Sequence, residues 1–310
     1  MRCRCGALLA VCAVVAGCHS PEEQTAAPLP VRGPAHTLRV ALDPAFAEAT
    51  VARALAGRFQ LVRRSPDRIV VARPRLTIVF RRLDPYEAVR AFSRGELDEA
   101  PVPQGEIRAL EADRKLGPTL RAQSLHGVDL VVFAPRVPRA VRRAYWLTGP
   151  RGEYQALIPE KVAPAAFGLL PGAEPTGAAD ARRARASIRS LPRVPVRLAV
   201  PKVRELIEAA EIPWADWRQL GLPVTLVPGG KRTEARFVRL IPADPRPEAL
   251  FAALGLDGGP LHRLDERLRD GALVVPLARV AEARLVSPRV RGWRMDAQGV
   301  ADYSRVTIRR

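Results

Sequence analysis

Cysteine is missing from the body of this chain. Cys3, Cys5, Cys12 and Cys18 all fall within the first 18 of 310 residues. No disulfide framework can brace the remainder, and no thiolate set can hold zinc there. Lysine is almost as scarce. Of 50 basic residues only Lys115, Lys161, Lys202 and Lys231 are lysine, and the rest are arginine. The formal net charge of +18 is therefore a compositional skew spread along the chain. Aromatic residues make up 5% and do not interleave with basic blocks, which argues against a nucleic-acid partner. The densest cluster, Arg182, Arg183 and Arg185, lies in an Ala-rich helical stretch and reads as a solvated face. Weak attraction to anionic headgroups is compatible with such a surface. Apolar runs long enough to cross a bilayer, about 20 residues, are also absent.

The usual signatures of chemistry are wanting too. His19, His36, His126 and His262 are scattered with no i, i+4 pair, so neither a metal site nor a cofactor is expected. No G-x-S-x-G elbow occurs. Pro228-Gly229-Gly230-Lys231-Arg232 mimics a phosphate loop, but Thr225 stands where the first glycine belongs and no Ser or Thr follows Lys231. A polar hairpin tip is the better reading. Glu96, Asp98 and Glu99 are close in sequence, yet in a strand Glu99 faces away from the other two, which suits a turn and sheet edge more than an acid/base dyad. Trp214 and Trp217 serve a core as readily as a ligand platform. Nothing specific supports an enzyme.

What is present begins at the N-terminus. Arg2 and Arg4 precede an apolar stretch, Ala7 to Ala16, and Val15-Ala16-Gly17-Cys18 closes it with small residues before a cysteine. That order is a secretory signal peptide. Its ending resembles the lipobox of bacterial lipoproteins, which implies acylation of Cys18 and cleavage before it. Residues 1–17 are thus read as signal and 18–36, rich in Pro, Glu and Ala, as a flexible tether. The mature chain is expected in the cell envelope, membrane-anchored and facing the periplasm or the exterior.

Beyond the tether, short strands and helices alternate. Strands are predicted at Thr37 to Leu42, Phe59 to Arg64, Arg68 to Ala72 and Leu76 to Phe80, the middle two as a hairpin, with a helix at Ala45 to Ala56. Asp84 caps a helix with Pro85 in its first turn and Glu87 at the third position, and Gly95 ends it. A helix follows from Glu106, with Gly117 as its stop. Val128 to Phe133 is the most apolar strand, central to a sheet, and Pro138 to Leu147 is a helix that Glu153 to Leu157 continues. The stretch 171–180 is a domain crossover. Strands at Val194 to Val200 and Val224 to Val227 flank a helix at Val203 to Ala210. Pro247 to Leu254 and Leu264 to Arg269 are helical, and Leu273 to Pro276, Leu285 to Val286 and Val306 to Ile308 are closing strands. The alternation predicts an α/β fold with mixed sheets.

Three stretches carry a resemblance. Ile78-Val79-Phe80, Tyr86 to Phe92 and Gly95-Glu96-Leu97-Asp98-Glu99-Ala100 come first; Val141 to Tyr145 after Val131-Val132-Phe133 is the second; Val275-Pro276-Leu277 through Leu285 to Gly292, Gly299 and Asp302-Tyr303-Ser304 is the third. In this order they resemble the dipeptide/oligopeptide-binding solute-binding protein family (family 5), the extracytoplasmic receptors of peptide and nickel ABC importers. The resemblance implies a periplasmic-binding-protein-like (type II) two-lobed fold, with 37–175 as first lobe and 176–310 as second lobe and return strands. It implies a peptide or other small solute bound between the lobes, an ABC permease as partner, and a monomer. The family is longer, so one lobe is expected to be reduced: an N-terminal "F-x-L-R…F-H-D-G" stretch and a helical region between Val227 and Phe237 are missing. In peptide-binding members an Asp of an "A-D-Y-x-x-P" stretch pairs with the ligand amine. Ala243-Asp244-Pro245-Arg246-Pro247 matches in part, making Asp244 the candidate ligand-binding residue, with a turn aspartate as the alternative. The other function class left open is a lipoprotein that kept the scaffold as a non-transport interaction or structural module.

Overall fold

The computed structural model describes residues 36–43, 46–173, 178–190, 194–256 and 258–309. The signal, nearly all of the tether and the centre of the expected crossover near residue 175 lie outside the described residues. The described residues begin with β1 (His36–Leu42) and α1 (Ala47–Ala56). A meander follows of β2 (Gln60–Arg64), β3 (Arg68–Arg73) and β4 (Leu76–Arg82), then α2 (Pro85–Ser93), β5 (Glu99–Pro101) and α3 (Ile107–Ala112). The long β6 (Leu120–Phe133) precedes α4 (Arg139–Leu147), α5 (Arg151–Leu157) and α6 (Ala178–Ser187). Next come β7 (Val196–Val200), α7 (Arg204–Gln219), β8 (Val224–Pro228), β9 (Ala235–Leu240), α8 (Pro247–Ala252) and α9 (Leu261–Gly271). The equally long β10 (Val274–Val286) is followed by two-residue strands β11 (Val290–Arg291), β12 (Arg294–Met295), β13 (Ala301–Asp302) and β14 (Thr307–Ile308).

Ten strands form one mixed sheet in the order β2-β3-β4-β1-β5-β10-β6-β9-β7-β8. The expected α/β class with mixed sheets is what the structure has. β10 and β6 run antiparallel along almost their whole length, from Val274 opposite Val132 to Leu285 opposite Leu120. One end of β10 pairs with β5, and the far end of β6 pairs with β9. These two strands therefore belong to two half-sheets at once. Alternation packs both faces of each half. Along β6, Val128 and Leu130 turn to α8 and α9, whereas Val131 and Phe133 turn to α4 and α7. In the other half Leu38, Val40 and Leu42 face α1 and Ala41 faces α2.

Local chemistry accounts for several boundaries. The Asp84 carboxylate accepts from the Tyr86 backbone N–H at 3.0 Å, and Pro85, lacking an N–H, loses nothing in the first turn. Gly95 takes a φ of 76° just past the helix end. Other expectations need correction. Leu273 to Pro276 and Leu285 to Val286 are not separate strands but ends of β10, whose middle alternates charged with small residues and reads as a break. The helix from Glu106 stops at Ala112, well before Gly117. Gly149-Pro150 separates α4 from α5, and α7 runs on to Gln219 with Pro213 inside it. Trp217 is core, its ring edge-on to Tyr145 at 4.9 Å.

Gly229-Gly230 is not a hairpin tip. β8 and β9 both pair with β7, on opposite sides and parallel to it. Residues 229–234 thus carry the chain over the end of β7, where a parallel connection ordinarily takes a dozen residues or more and a helix. Gly229, at φ 69°, donates its N–H to the Val200 carbonyl at 2.8 Å. Glu234 ties down the far side. Its carboxylate accepts from Arg197 Nε at 2.8 Å and Nη2 at 3.0 Å, and from Arg136 Nη2 at 3.1 Å. The Arg197 hydrogen bonds hold the Glu234 carboxyl down at about 2, against an ordinary 4.5. A depressed folded-state pKa contributes stability that is complete above the ordinary value and is lost as pH falls toward the folded one. Glu234→Gln should therefore lower the unfolding temperature at neutral pH and flatten its acid dependence between about pH 4.5 and 2, as thermal melts across that window would register.

Candidate functional site

The two half-sheets meet where β6 and β10 go out of step. Register shifts fall between Pro276 and Ala278 and between Arg279 and Ala281. An extra residue on one strand bends it and increases the twist, and Pro276 has no N–H to give to the ladder. Charged side chains from both halves collect at this bend.

Arg239 is the centre of the first group. β9 places it opposite Asp129 of β6, and the pair is bidentate, Nε to Oδ1 at 2.9 Å and Nη2 to Oδ2 at 3.0 Å. Nη1 donates to Glu205 at the start of α7, at 2.7 Å. Nη2 also donates to Oε1 of Gln104, which lies in a 3-10 turn (Gln104–Glu106) after β5 and so comes from the other half. Burial works against the charge on Arg239, but Asp129 and Glu205 outweigh it and hold its pKa above the ordinary value. The guanidinium is charged, and each of its three nitrogens is hydrogen-bonded.

Arg284 centres the second group. It sits two residues from Glu282 on the same face of β10, with Nε 2.8 Å from the Glu282 carboxylate, and Glu99 of β5 lies 4.0 Å from its Nη1. Glu99 and Arg284 are fully buried. The Tyr303 hydroxyl and the Trp293 indole N–H face Glu99 without good hydrogen-bond geometry. Burial pushes the carboxyls of Glu99 and Glu282 up, with Arg284 pulling in the opposite direction. Asp43, just past β1, acts on both Glu282 and Arg284, while Glu205 and Arg239 act on Glu282. The two groups are one electrostatic unit in which five carboxyl groups surround two guanidiniums.

The halves also touch at their rims. Tyr86, at the start of α2, donates its hydroxyl to Glu208 of α7, and Arg204 lies over the Tyr86 ring at 4.2 Å while pairing with Glu208 at 2.8 Å. Two surface hollows, of about 310 Å³ beside α2 and about 450 Å³ along α9, lie outside the junction and are lined by charged side chains of exposed faces.

Asp244 sits between β9 and α8, 39% exposed, with its carboxylate on the Arg246 backbone N–H at 2.9 Å and side chain at 2.8 Å. It is not joined to either arginine group. Asp98 is buried and staples Arg39 of β1 to Arg289, at 3.2 and 2.6 Å. Glu99 lies in an interior strand, so the sheet-edge reading of these carboxylates is corrected. Among the described residues no group of His, Cys, Asp or Glu is arranged to hold a metal, and no helix is long and apolar enough to cross a membrane. Sequence reading passed over Asp129, Arg239, Glu282 and Arg284. Of these only Asp129 stands out locally, as a single charge within the apolar run Val128 to Phe133, where charges seldom occur unpaired; the others share their strands with further charges.

No family model matches this chain, and no curated protein sequence is similar to it. Solved structures are. The Escherichia coli murein tripeptide binding protein MppA superimposes with a TM-score of 0.66 at 13% identity, over 81% of this chain and 64% of that one. The unliganded open form of MppA gives 0.52 at 14% identity, over 81% and 63%. NikA from Brucella suis, in complex with Fe(III)-EDTA, gives 0.64 at 16% identity over 81% and 68%. The dipeptide binding protein from Pseudoalteromonas sp. SM9913, in complex with Met-Leu, gives 0.62 at 12% identity over 86% and 69%. These likenesses show the fold, which is periplasmic-binding-protein-like. The chain spans 64% of the length of MppA.

The junction makes two opposite predictions. Asp129→Ala leaves Arg239 buried without its bidentate partner and should cost about 3–5 kcal/mol, read by denaturant unfolding. Glu99→Gln keeps the shape and removes a poorly compensated buried charge. A raised folded-state pKa gives stability that is present at low pH and lost as pH climbs past the ordinary carboxylate range. Glu99→Gln should abolish that decline and leave the protein as stable or more stable at neutral pH, by melts compared at acidic and neutral pH.

Proposed function

We propose that this protein is a lipid-anchored extracytoplasmic solute-binding protein of a peptide-type ABC transporter, a binder without catalysis, taking a peptide or other small solute between two lobes. The observation that carries this reading is the junction. Two long strands shared by two half-sheets, bulged where they cross, form the kind of joint about which two bodies close on a ligand. Charged groups from both bodies converge there, and the solved structures that share the fold include binders of a murein tripeptide and of Met-Leu. In this reading the half around β1 to β5, joined by the C-terminal residues 286–308, and the half around β9, β7 and β8 supply the two lobes. A monomer presents its closed form to an inner-membrane permease, and the tether from Cys18 keeps it beside the membrane. Asp244 is assigned the ligand amine, which requires it to exchange its partner Arg246 for the solute.

A second reading, an interaction or structural module that retained the scaffold, draws support from the same junction, where the chain's own side chains span the two halves. A thermal-shift screen against mixed short peptides and nickel decides between them. Binding at a concentration of 100 times Kd should stabilise the native state by about 2.7 kcal/mol, easily read as a rise in melting temperature. The rise should shrink in Asp244→Ala. Folded protein that shows no rise with any solute supports the module instead. For the anchor, mass spectrometry of the membrane fraction should find acylated Cys18 as the N-terminus, and Cys18→Ser should release the protein from the membrane.

A further inference from the structure

We propose that Arg239 is a built-in stand-in for the cationic group of a solute: its guanidinium fills an acid-lined seat between the two halves, holds them together, and must leave before a guanidinium- or ammonium-bearing small molecule can take its place. The inference rests on the solute-binding reading and specifies which chemistry its seat selects.

The seat is made of Asp129, Glu205 and Gln104, and the pattern of contacts is that of guanidinium recognition. One edge of the planar group meets Asp129 in parallel hydrogen bonds of 2.9 and 3.0 Å, and Nη1 reaches Glu205 at 2.7 Å. An arginine needed only to brace neighbouring strands would be satisfied by Asp129 directly across from it. Arg239 instead puts two further donors on α7 and on Gln104, the latter in the other half. Gln104 supplies a separate sign that the seat is built for a ligand. Its side chain is 4% exposed, its Oε1 accepts from Arg239, and its Nε2, on the same amide, has no partner among the described residues. A donor left idle at that depth is costly unless something accepts from it. A solute carrying a carbonyl or carboxylate beside its cationic group meets both needs, the acids taking the cation and Gln104 Nε2 the oxygen.

The charge balance points the same way. Glu282 adds its field to that of Asp129 and Glu205, while Arg284 is taken up by Glu282, Asp43 and Glu99. Arg239 already holds both Asp129 oxygens and one of Glu205, so Arg239 and a solute cation exclude each other. Access exists, since Arg239 is 12% exposed and Glu205 26%. The halves already touch with Arg239 in place, and the chain superimposes less well on the unliganded open form of MppA than on the other MppA structure, 0.52 against 0.66.

The test compares the full chain with Arg239→Ala by small-angle scattering and by thermal shift, with agmatine, arginine amide and guanidinium chloride at about 10 mM and sodium chloride as ionic control. Expected is a larger radius of gyration for Arg239→Ala alone, returning to the wild-type value with arginine amide, and binding of arginine amide about tenfold or more tighter than to wild type. Sodium chloride should restore nothing. Should Arg239→Ala fail to fold, Gln104→Ala keeps Asp129 paired and should still widen the molecule, and an unchanged radius in that variant would overturn the proposal. An Arg239→Ala protein that folds, keeps the wild-type radius and ignores all three guanidinium and ammonium compounds overturns it as well. The two readings fail separately: wild type that binds and closes on an uncharged peptide keeps the solute-binding reading and removes the stand-in. Arg239→Ala that opens and is rescued by arginine amide, while wild type binds nothing, keeps the stand-in and points to the module.

Discussion

The pairing of β6 with β10 is the constraint on which the rest depends. Strands of thirteen and fourteen residues, paired end to end, are the sole link in the sheet between β5 on one side and β9 on the other. A pair this long, with both faces covered, cannot slip by one residue without turning Val128, Leu130 and their partners out of their cores. Register is thereby fixed along the whole length. The two bulges interrupt it only where Pro276 and the residues after it leave the ladder. Stiff pairing at both ends and irregular pairing between them make a joint rather than a continuous slab.

That joint is where the chain places charges which a uniform sheet would not tolerate. An isolated carboxylate or guanidinium at this depth is expensive, and attraction to a partner compensates only when hydrogen-bond geometry is good. Arg239 with Asp129 and Glu205 meets that condition. Glu99, 4.0 Å from Arg284 and without well-formed hydrogen bonds, does not. The difference separates a group held ready from one that the fold carries at a cost. Buried charges that weaken the native state are seldom explained by stability alone, and a site that must attract and release a charged ligand supplies a reason to keep them.

The half built on β7, β8 and β9 carries a short parallel connection. Where β8 joins β9, residues 229–234 cross the end of β7 without a helix, and the β7–β9 overlap is confined to Leu198 and Ala199. Arg136, Arg197 and Glu234 pin this turn from outside. The chain covers 64% of MppA, and 81% of it superimposes.

Much of the framework was readable from local chemistry. Asp84-Pro85 starts α2, Gly95 stops it, and the β2–β3 hairpin follows from alternation and the turn at 65–67, because each depends on residues a few positions apart. The middle of β10 was not, since Ala278 to Arg284 mixes small and charged residues that satisfy no strand pattern until β6 pairs along one side. The seat was less legible still: Asp129 stands out as a charge in an apolar run, but Arg239 lies 110 residues away and nothing local says that the two pair. The sequence by itself determined the α/β alternation and the want of any cysteine or histidine set for chemistry in the body of the chain, both properties of composition and short spacing. Only the tertiary structure decided which charges meet, because strand register at a bend, and no periodicity along the chain, brings Asp129, Glu205 and Gln104 around one arginine.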